Sequence, residues 1–304
     1  MGKIHSYPKV WAIGSNPILN LFDSPVEITE KVDGSQFSFG YVITDKGEEL
    51  VCRSHSKDIV LDAVDKMFFT AVDQVLQRKD YLKAHPQTVF YGEYLKSPKH
   101  NILTYERVPK NNIVIFGARI GEMWITRYEE LKRMANEIDL ETVPLIADGT
   151  VKSVDEIKEF LSADSFLGGT KIEGIVVKNY AQLALIGDKT PVFGKYVSEA
   201  FKEKHAIEWK CGANKLNDFL LSFKTEARWN KAVQHLKEEG LLLNEPKDIG
   251  ALMKEVHVDI IKEERDNIEF FLYEYFIDDI KRKACSGFAQ WYKEQLLKNS
   301  IKEG

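Results

Sequence analysis

The sequence predicts an α+β fold: a mixed α/β domain over residues 1–207 and an all-helical domain over 208–304. Three observations carry this expectation. Up to about residue 205, short β-rich runs are interleaved with helical stretches. Beyond it, strand alternation disappears and long charged segments keep apolar residues at helical spacing. The composition, 44% hydrophobic, 11% aromatic and 29% charged over 304 residues, is that of a globular chain able to bury a large core.

Residues 26–30 read as a strand that delivers Lys31 to a turn at Asp33-Gly34, where glycine permits unusual backbone angles. Taken alone, Asp-Gly between two strands is a hairpin signal. Residues 36–43 alternate, with Phe37, Phe39, Tyr41 and Ile43 on one face and Gln36, Ser38 and Gly40 on the other. Cys52-Arg53-Ser54 ends the next strand. Residues 58–75 have the spacing of a helix, with Val60, Leu61, Val64, Met67 and Phe68 on one stripe. Strands follow at 89–94, 112–119, 173–178 and 192–197, and helices at 127–138 and 153–161, the latter with Ser153 and Glu156 as a capping box. In the tail, Ile249, Leu252, Met253, Val256 and Ile260 keep a helical rhythm that Ile268, Phe271, Leu272 and Tyr275 continue. Trp209, Trp229 and Trp291 are expected in the helical core, and Lys281-Arg282-Lys283 either against a phosphate backbone or on a solvated helix face.

The net charge of −5 excludes a general polycation, so any nucleic-acid surface must be a local groove or stripe. Cys52, Cys211 and Cys285 form no CxxC pair and the histidines show no ligand spacing, which argues against structural zinc and a disulfide framework. Reduced thiols in a cytosol-like compartment are the simplest expectation. No stretch reaches the length of a membrane span or a signal peptide. Met1-Gly2 opens a loose match to an acylation pattern too short to weigh.

The chemistry lies in charged residues set into apolar strands. Glu93 sits in Phe90-Tyr91-Gly92-Glu93-Tyr94, Glu173 heads Gly174-Ile175-Val176-Val177, and Lys195 lies in Phe193-Gly194-Lys195-Tyr196-Val197. Burying such groups unpaired costs several kcal/mol. A shared polar cleft accounts for all of them at once.

In order and spacing these segments resemble the covalent nucleotidyltransferase superfamily of DNA ligases, RNA ligases and mRNA capping enzymes. Lys31 to Gly34 matches its Lys-x-Asp-Gly motif, and Arg53 the following arginine. Tyr91-Gly92-Glu93, Ile115-Phe116-Gly117, Glu173 to Lys178 and, in part, Lys195 to Phe201 match the later motifs. The resemblance covers about two-thirds of the chain. Glu30 directly before the lysine, with a helical rather than an OB-type tail, is most similar to the RNA ligase 2-like family.

The resemblance implies an adenylation domain of antiparallel sheets flanked by helices. It implies ATP as AMP donor, Mg²⁺ (or Mn²⁺), and a nucleic-acid partner, RNA ends at nicks in a duplex, acted on by a monomer. Lys31, Lys195 and Glu173 would be catalytic. Glu30, Gln36, Arg53, Glu93, Phe116 and Lys178 would join them around ATP and AMP, and Glu173 and Glu93 would hold the metal. A lysine near pKa ~10.4 is protonated at neutral pH, so Lys31 needs positive charge nearby, from Lys195, Arg53 or the metal. The family's paired motif V lysines depart here, where Val197 follows Lys195; Lys202 or Lys204 are the nearby substitutes. The alternatives are a DNA nick ligase, a capping guanylyltransferase and a non-catalytic nucleic-acid-binding homologue.

Overall fold

The computed structural model describes residues 4–44, 47–55, 57–151, 154–185, 190–197 and 215–302. In chain order the strands are β1 (Val10–Ala12), β2 (Val26–Lys31), β3 (Ser35–Thr44), β4 (Gly47–Ser54), β5 (Asp58–Ile59), β6 (Thr88–Tyr94), β7 (Ile113–Ile120), β8 (Met123–Trp124), β9 (Glu141–Thr142), β10 (Leu145–Gly149), β11 (Gly174–Leu183) and β12 (Pro191–Val197). The helices are α1 (Phe69–Leu76), α2 (Lys79–Ala84), α3 (Tyr128–Glu137), α4 (Val154–Phe160), α5 (Lys215–Ser222), α6 (Glu226–Glu238), α7 (Ile249–Ala284) and α8 (Phe288–Lys302).

The strands form two largely antiparallel sheets. One has five strands in the order β1-β12-β11-β2-β10; the other has seven, β5-β4-β3-β6-β7-β8, with β9 beside β7. The alternation of β3 sets the layering. Phe37 and Phe39 are fully buried in a core with Val72 and Val75 of α1 and Leu131 and Ala135 of α3. The five-stranded sheet turns Ile28, Ile175, Val177 and Val192 onto a second core with Ile157 of α4. A third cluster, including Val32, Leu95 and Val114, surrounds the crossover from β2 to β3.

That crossover corrects the hairpin expectation. β2 pairs with β11 and β10, and β3 pairs with β4 and β6, so Val32-Asp33-Gly34 carries the chain from one sheet to the other. Gly34 is not among the positive-φ glycines. Space is what demands it: a Cβ there would lie 2.7 Å from Glu93 Cγ and 2.8 Å from the Tyr94 carbonyl oxygen.

The helix expected over 58–75 is confined to α1. Asp58 and Ile59 instead pair with Arg53 and Cys52 of β4. Asp65 then forms a local turn, accepting from the Met67 and Phe68 amides with its side chain and carbonyl respectively, which competes with helix propagation. The apolar stripe still reaches the core, because Met67 and Phe68 are buried in it and Leu61 and Val64 pack against it.

No strand occurs among the described residues after 215, as the texture of the tail predicted. The expected boundary at 207–208, together with Ser153, Lys202, Lys204, Trp209 and Cys211, lies outside the described residues. By its own packing the chain forms two compact units, Met1–Val256 and His257–Gly304. The described part of the second unit is two helical segments joined by a turn at 285–287, and Phe271 on the first is buried. Trp229 and Trp291 are about half exposed, contrary to their expected core role. On α6 the buried positions are Arg228, Ala232 and Leu236, a stripe that leaves Trp229 on the adjoining face. Lys281, Arg282 and Lys283 are exposed, which both readings of that run require. No described helix is long and apolar enough to cross a membrane.

Since Phe39 is fully enclosed between β4, β6 and the helical layer, Phe39→Ala should cost about 3–5 kcal/mol of stability. Denaturant titration of the variant checks this.

Candidate active site

Lys31 is the last residue of β2 and faces the space between the sheets. Strand alternation sets Lys31, Thr29 and Glu27 on that face, while Ile28 and Val26 enter the core behind it. Its Nζ donates to both oxygens of Glu173, at 2.8 and 2.6 Å. Glu173 directly precedes Gly174, which lies opposite Lys31 in the β11–β2 register. The pair is therefore built into the sheet. Burial pulls the Lys31 ammonium down, but Glu173, Glu93 and Asp33 outweigh it and leave its pKa above the ordinary lysine value. Lys31 is thus held as an ammonium, the reverse of the lowering expected from a cationic neighbourhood.

The β11–β12 register places the other candidates. Gly174 is opposite Val197, so Lys31, Gly174 and Val197 form one row across three strands. Thr29, Val176 and Lys195 form the next row. Lys195 thus shares the cleft face with Lys31, two strands across and two residues along, at roughly 12 Å between backbones. Val197 stands in the row of Lys31, where the second lysine of a motif V pair would sit. The Thr29 hydroxyl is buried with no hydrogen-bond partner among the described residues.

The opposite wall comes from the seven-stranded sheet. Gln36 is paired with Glu93 across β3 and β6, and its side chain meets His55 at 3.0 Å. Burial, with Glu173, Asp33 and Glu238 nearby, pushes the Glu93 carboxyl up to about 8 against the opposing pull of Lys31. Phe116 is half-buried, with the Tyr7 ring edge-on at 4.8 Å. Arg53 donates to Asp58 at 2.7 Å and to the Ser6 hydroxyl at 3.1 Å, and its buried Nε has no partner among the described residues.

Two expected nucleotide contacts are committed elsewhere. Glu30 points away from the Lys31 face and is buried; it accepts from the Ser165 hydroxyl at 2.5 Å and the Phe166 amide at 3.1 Å. Lys178 is 1% exposed and donates to Glu27 at 2.9 Å and to the Phe116 carbonyl at 2.8 Å. It lies roughly 13 Å along β11 from Gly174, and its bond to Phe116 ties one sheet to the other. Burial draws its pKa down, with Glu27 opposing.

Several residues that hold the turn after Lys31 escaped the sequence reading. The Asp33 carboxylate accepts from the Ile102 and Leu103 amides, both at 2.8 Å, and the Asp33 amide donates to the Tyr105 hydroxyl at 2.8 Å. Asn101 donates to the Gly34 carbonyl at 2.8 Å. Loop 96–105 therefore clasps the turn that follows Lys31. His100 and Asn101 carried no spacing signal; Asp33 carried one, inside Lys-x-Asp-Gly, but it read as turn chemistry.

A family model described as RNA ligase matches residues 24–197, more than half of the chain. Among solved structures, the chain is similar to a Naegleria gruberi RNA ligase with PPi, at 18% identity and a TM-score of 0.51. That match covers 67% of this chain and 59% of the Naegleria chain, less than two thirds of that protein's length. A variant of the same ligase with ATP and Mn is similar at 17% identity and a TM-score of 0.49, over 67% of this chain and 59% of that one. No curated protein matches in sequence. At 18% identity the first of these likenesses shows a shared fold and no more.

A pH dependence follows from Glu93. Its folded pKa, about 8, is above the ordinary carboxyl value, so the folded state holds a proton that the unfolded state has released. Stability from this group is present at low pH and is lost as pH rises from about 4.5 to about 8. Glu93→Gln escapes that loss. Its melting temperature relative to the parent should climb across this window, and a constant difference would contradict the assignment.

Proposed function

The chain belongs to the RNA ligase family, and from that premise we propose that it is an ATP-dependent RNA ligase that carries AMP on Lys31. The single observation that best supports this is the Lys31–Glu173 pair: a primary amine on a strand end, gripped by a carboxylate, in a cleft with Lys195 on the same face. We assign the adenylation domain to residues 1–207 and the helical domain to 208–304.

The reaction takes three steps. Lys31 Nζ attacks the α-phosphorus of ATP; the N–P bond forms and pyrophosphate leaves. A 5′-phosphate oxygen then attacks the same phosphorus, the N–P bond breaks, and a 5′-5′ pyrophosphate end results. A 3′-hydroxyl attacks that end, the phosphodiester forms, and AMP leaves. Such displacements depend on in-line positioning and charge neutralisation.

The residues divide this work. Lys31 must shed a proton before it attacks, and the base in contact is Glu173 at 2.6 Å. Lys195 neutralises the α-phosphate. Phe116 stacks on adenine, with Val176 and the unpartnered Thr29 hydroxyl on the facing wall. Gln36 and Glu93 bind the ribose side, and Arg53 meets phosphate or the nucleic-acid end. Glu30 acts from behind the strand, through the loop at Ser165, and Lys178 supports Phe116 from below. Both remain in the nucleotide site by position and not by a free side chain.

The carboxylates fit a divalent cation. Among the described residues no three acidic, histidine or cysteine groups are arranged as a complete metal cage. Glu173 and Glu93 instead offer one or two carboxylates, the number that Mg²⁺ takes when phosphate and water complete its shell. Bound there, Mg²⁺ or Mn²⁺ would screen the phosphates and favour a neutral lysine. The substrate we propose is a nick in duplex RNA or an RNA-containing hybrid, acted on by a monomer.

Incubation with labelled ATP and Mg²⁺ should label the protein, and Lys31→Ala should take up no label. With nicked duplexes, sealing should be faster at a 3′-ribose than at a 3′-deoxyribose. A strong preference for all-DNA nicks would reassign the chain as a DNA ligase. Tight RNA binding without any covalent label would make it a non-catalytic homologue.

A further inference from the structure

Helix α6 reaches the turn that follows Lys31. The helix begins at Thr225, whose hydroxyl caps the Arg228 amide at 3.2 Å, and it buries Ala232 and Leu236. Gln234 and Glu238, one helical turn apart, share a face and are joined by a 2.8 Å hydrogen bond. From that face, Glu238 Oε1 accepts the hydroxyl of Ser35. Gln234 lies a long 3.5 Å from the Gly34 carbonyl.

Ser35 is buried and opens β3, four positions after Lys31. Its hydroxyl has a second neighbour, His100 Nε2, at 2.9 Å. His100 Nδ1 is 2.9 Å from the Lys96 amide and must accept from it, so Nε2 carries the proton and donates to Ser35. Ser35 is then left with one proton to give, and Glu238 receives it. The chain of bonds runs without ambiguity from the Lys96 amide through His100 and Ser35 to Glu238. Loop 96–105, which anchors Asp33, thus also reaches Ser35, and α6 adds a second hold from a different element.

We infer that Glu238 is a positioning residue for AMP transfer: through Ser35 it fixes the turn that aims Lys31, which makes α6 part of the AMP-loading site. The inference rests on the reading of Lys31 as the AMP carrier. Among the described residues, the hydrogen bonds of Glu238 go to Ser35 and Gln234 and to none of the residues assigned to ATP. Its loss should slow the transfer and leave ATP affinity nearly intact, as expected when a nucleophile is misaimed.

The test uses the full chain, labelled ATP and Mg²⁺, with the rate of label uptake measured against ATP concentration. Glu238→Ala should lower the maximal rate roughly 10- to 100-fold while changing half-saturation by less than about 2-fold. Glu238→Gln keeps an oxygen that accepts from Ser35 and should recover most of the rate. Glu238→Asp keeps the charge but is one methylene short and should not. Ser35→Ala should match Glu238→Ala, and the double variant should be no slower than the slower single, because both remove one linkage. A parental rate in Glu238→Ala overturns the inference. So does a fast aspartate with a slow glutamine, an outcome that remains readable even if the alanine variant fails to fold. If the parent takes no label, the reading of Lys31 fails and this inference falls with it; a labelled parent beside an equally labelled Glu238→Ala rejects the positioning role alone.

Discussion

The contact on which the site depends is the ion pair between Lys31 and Glu173, formed where a strand from one part of the chain ends opposite the start of another. Glu173 holds both oxygens within 2.8 Å of the lysine nitrogen. The pair cannot be separated from the fold, because Gly174 fixes the register of β11 against β2. From Lys31 the chain passes to the second sheet, and everything about that passage is restrained. Asp33 is clasped by loop 96–105, Gly34 has no room for a side chain, and Ser35 is held by His100 and Glu238. Breaking a half-buried pair of this kind leaves a charge without a partner, which is costlier than never having built it.

The electrostatics of the cleft leave Lys31 and Glu93 both biased toward their protonated forms. Nearby acidic groups, Glu173 foremost, outweigh burial and keep Lys31 protonated, while burial first and the neighbouring carboxylates next hold the Glu93 carboxyl up at about 8 against the pull of Lys31. A lysine in that state does not attack phosphorus. The positive charge that would release it is sparse in its own row, where Val197 stands opposite Gly174. In the proposed reaction the missing charge arrives with the substrate's counter-ion and with Lys195 from the next row. That arrangement accounts for a site that looks too acidic for its task and couples nucleophile activation to substrate arrival.

Much of this was legible in the sequence. The alternation of Phe37, Phe39 and Tyr41 predicted β3 and its buried face, and charged residues in apolar strands pointed to one cleft. Period two placed the strand, but the half-buried expectation did not hold: Ser38 and Val42 on the other face are buried as well, between two cores, and Ile43 at the strand end is exposed. What stayed hidden was non-local. Residues 58–75 have a helical stripe, but an edge pairing with β4 and the Asp65 turn claim their first half. Glu30 and Lys178 belong to the motif pattern, yet strand alternation turns one away from the cleft, and full burial ties the other to Glu27. His100 and Glu238 meet Ser35 across 65 and 203 residues, a distance no spacing rule spans.

The most direct measurement is to locate the adduct. After incubation with ATP and Mg²⁺, the protein is digested and its peptides are read by tandem mass spectrometry. The account predicts the mass of one AMP on the peptide containing Lys31, assigned to that side chain and lost in acid, as a phosphoramidate should be. AMP found on a different lysine, or no adduct in protein that seals RNA, would contradict it.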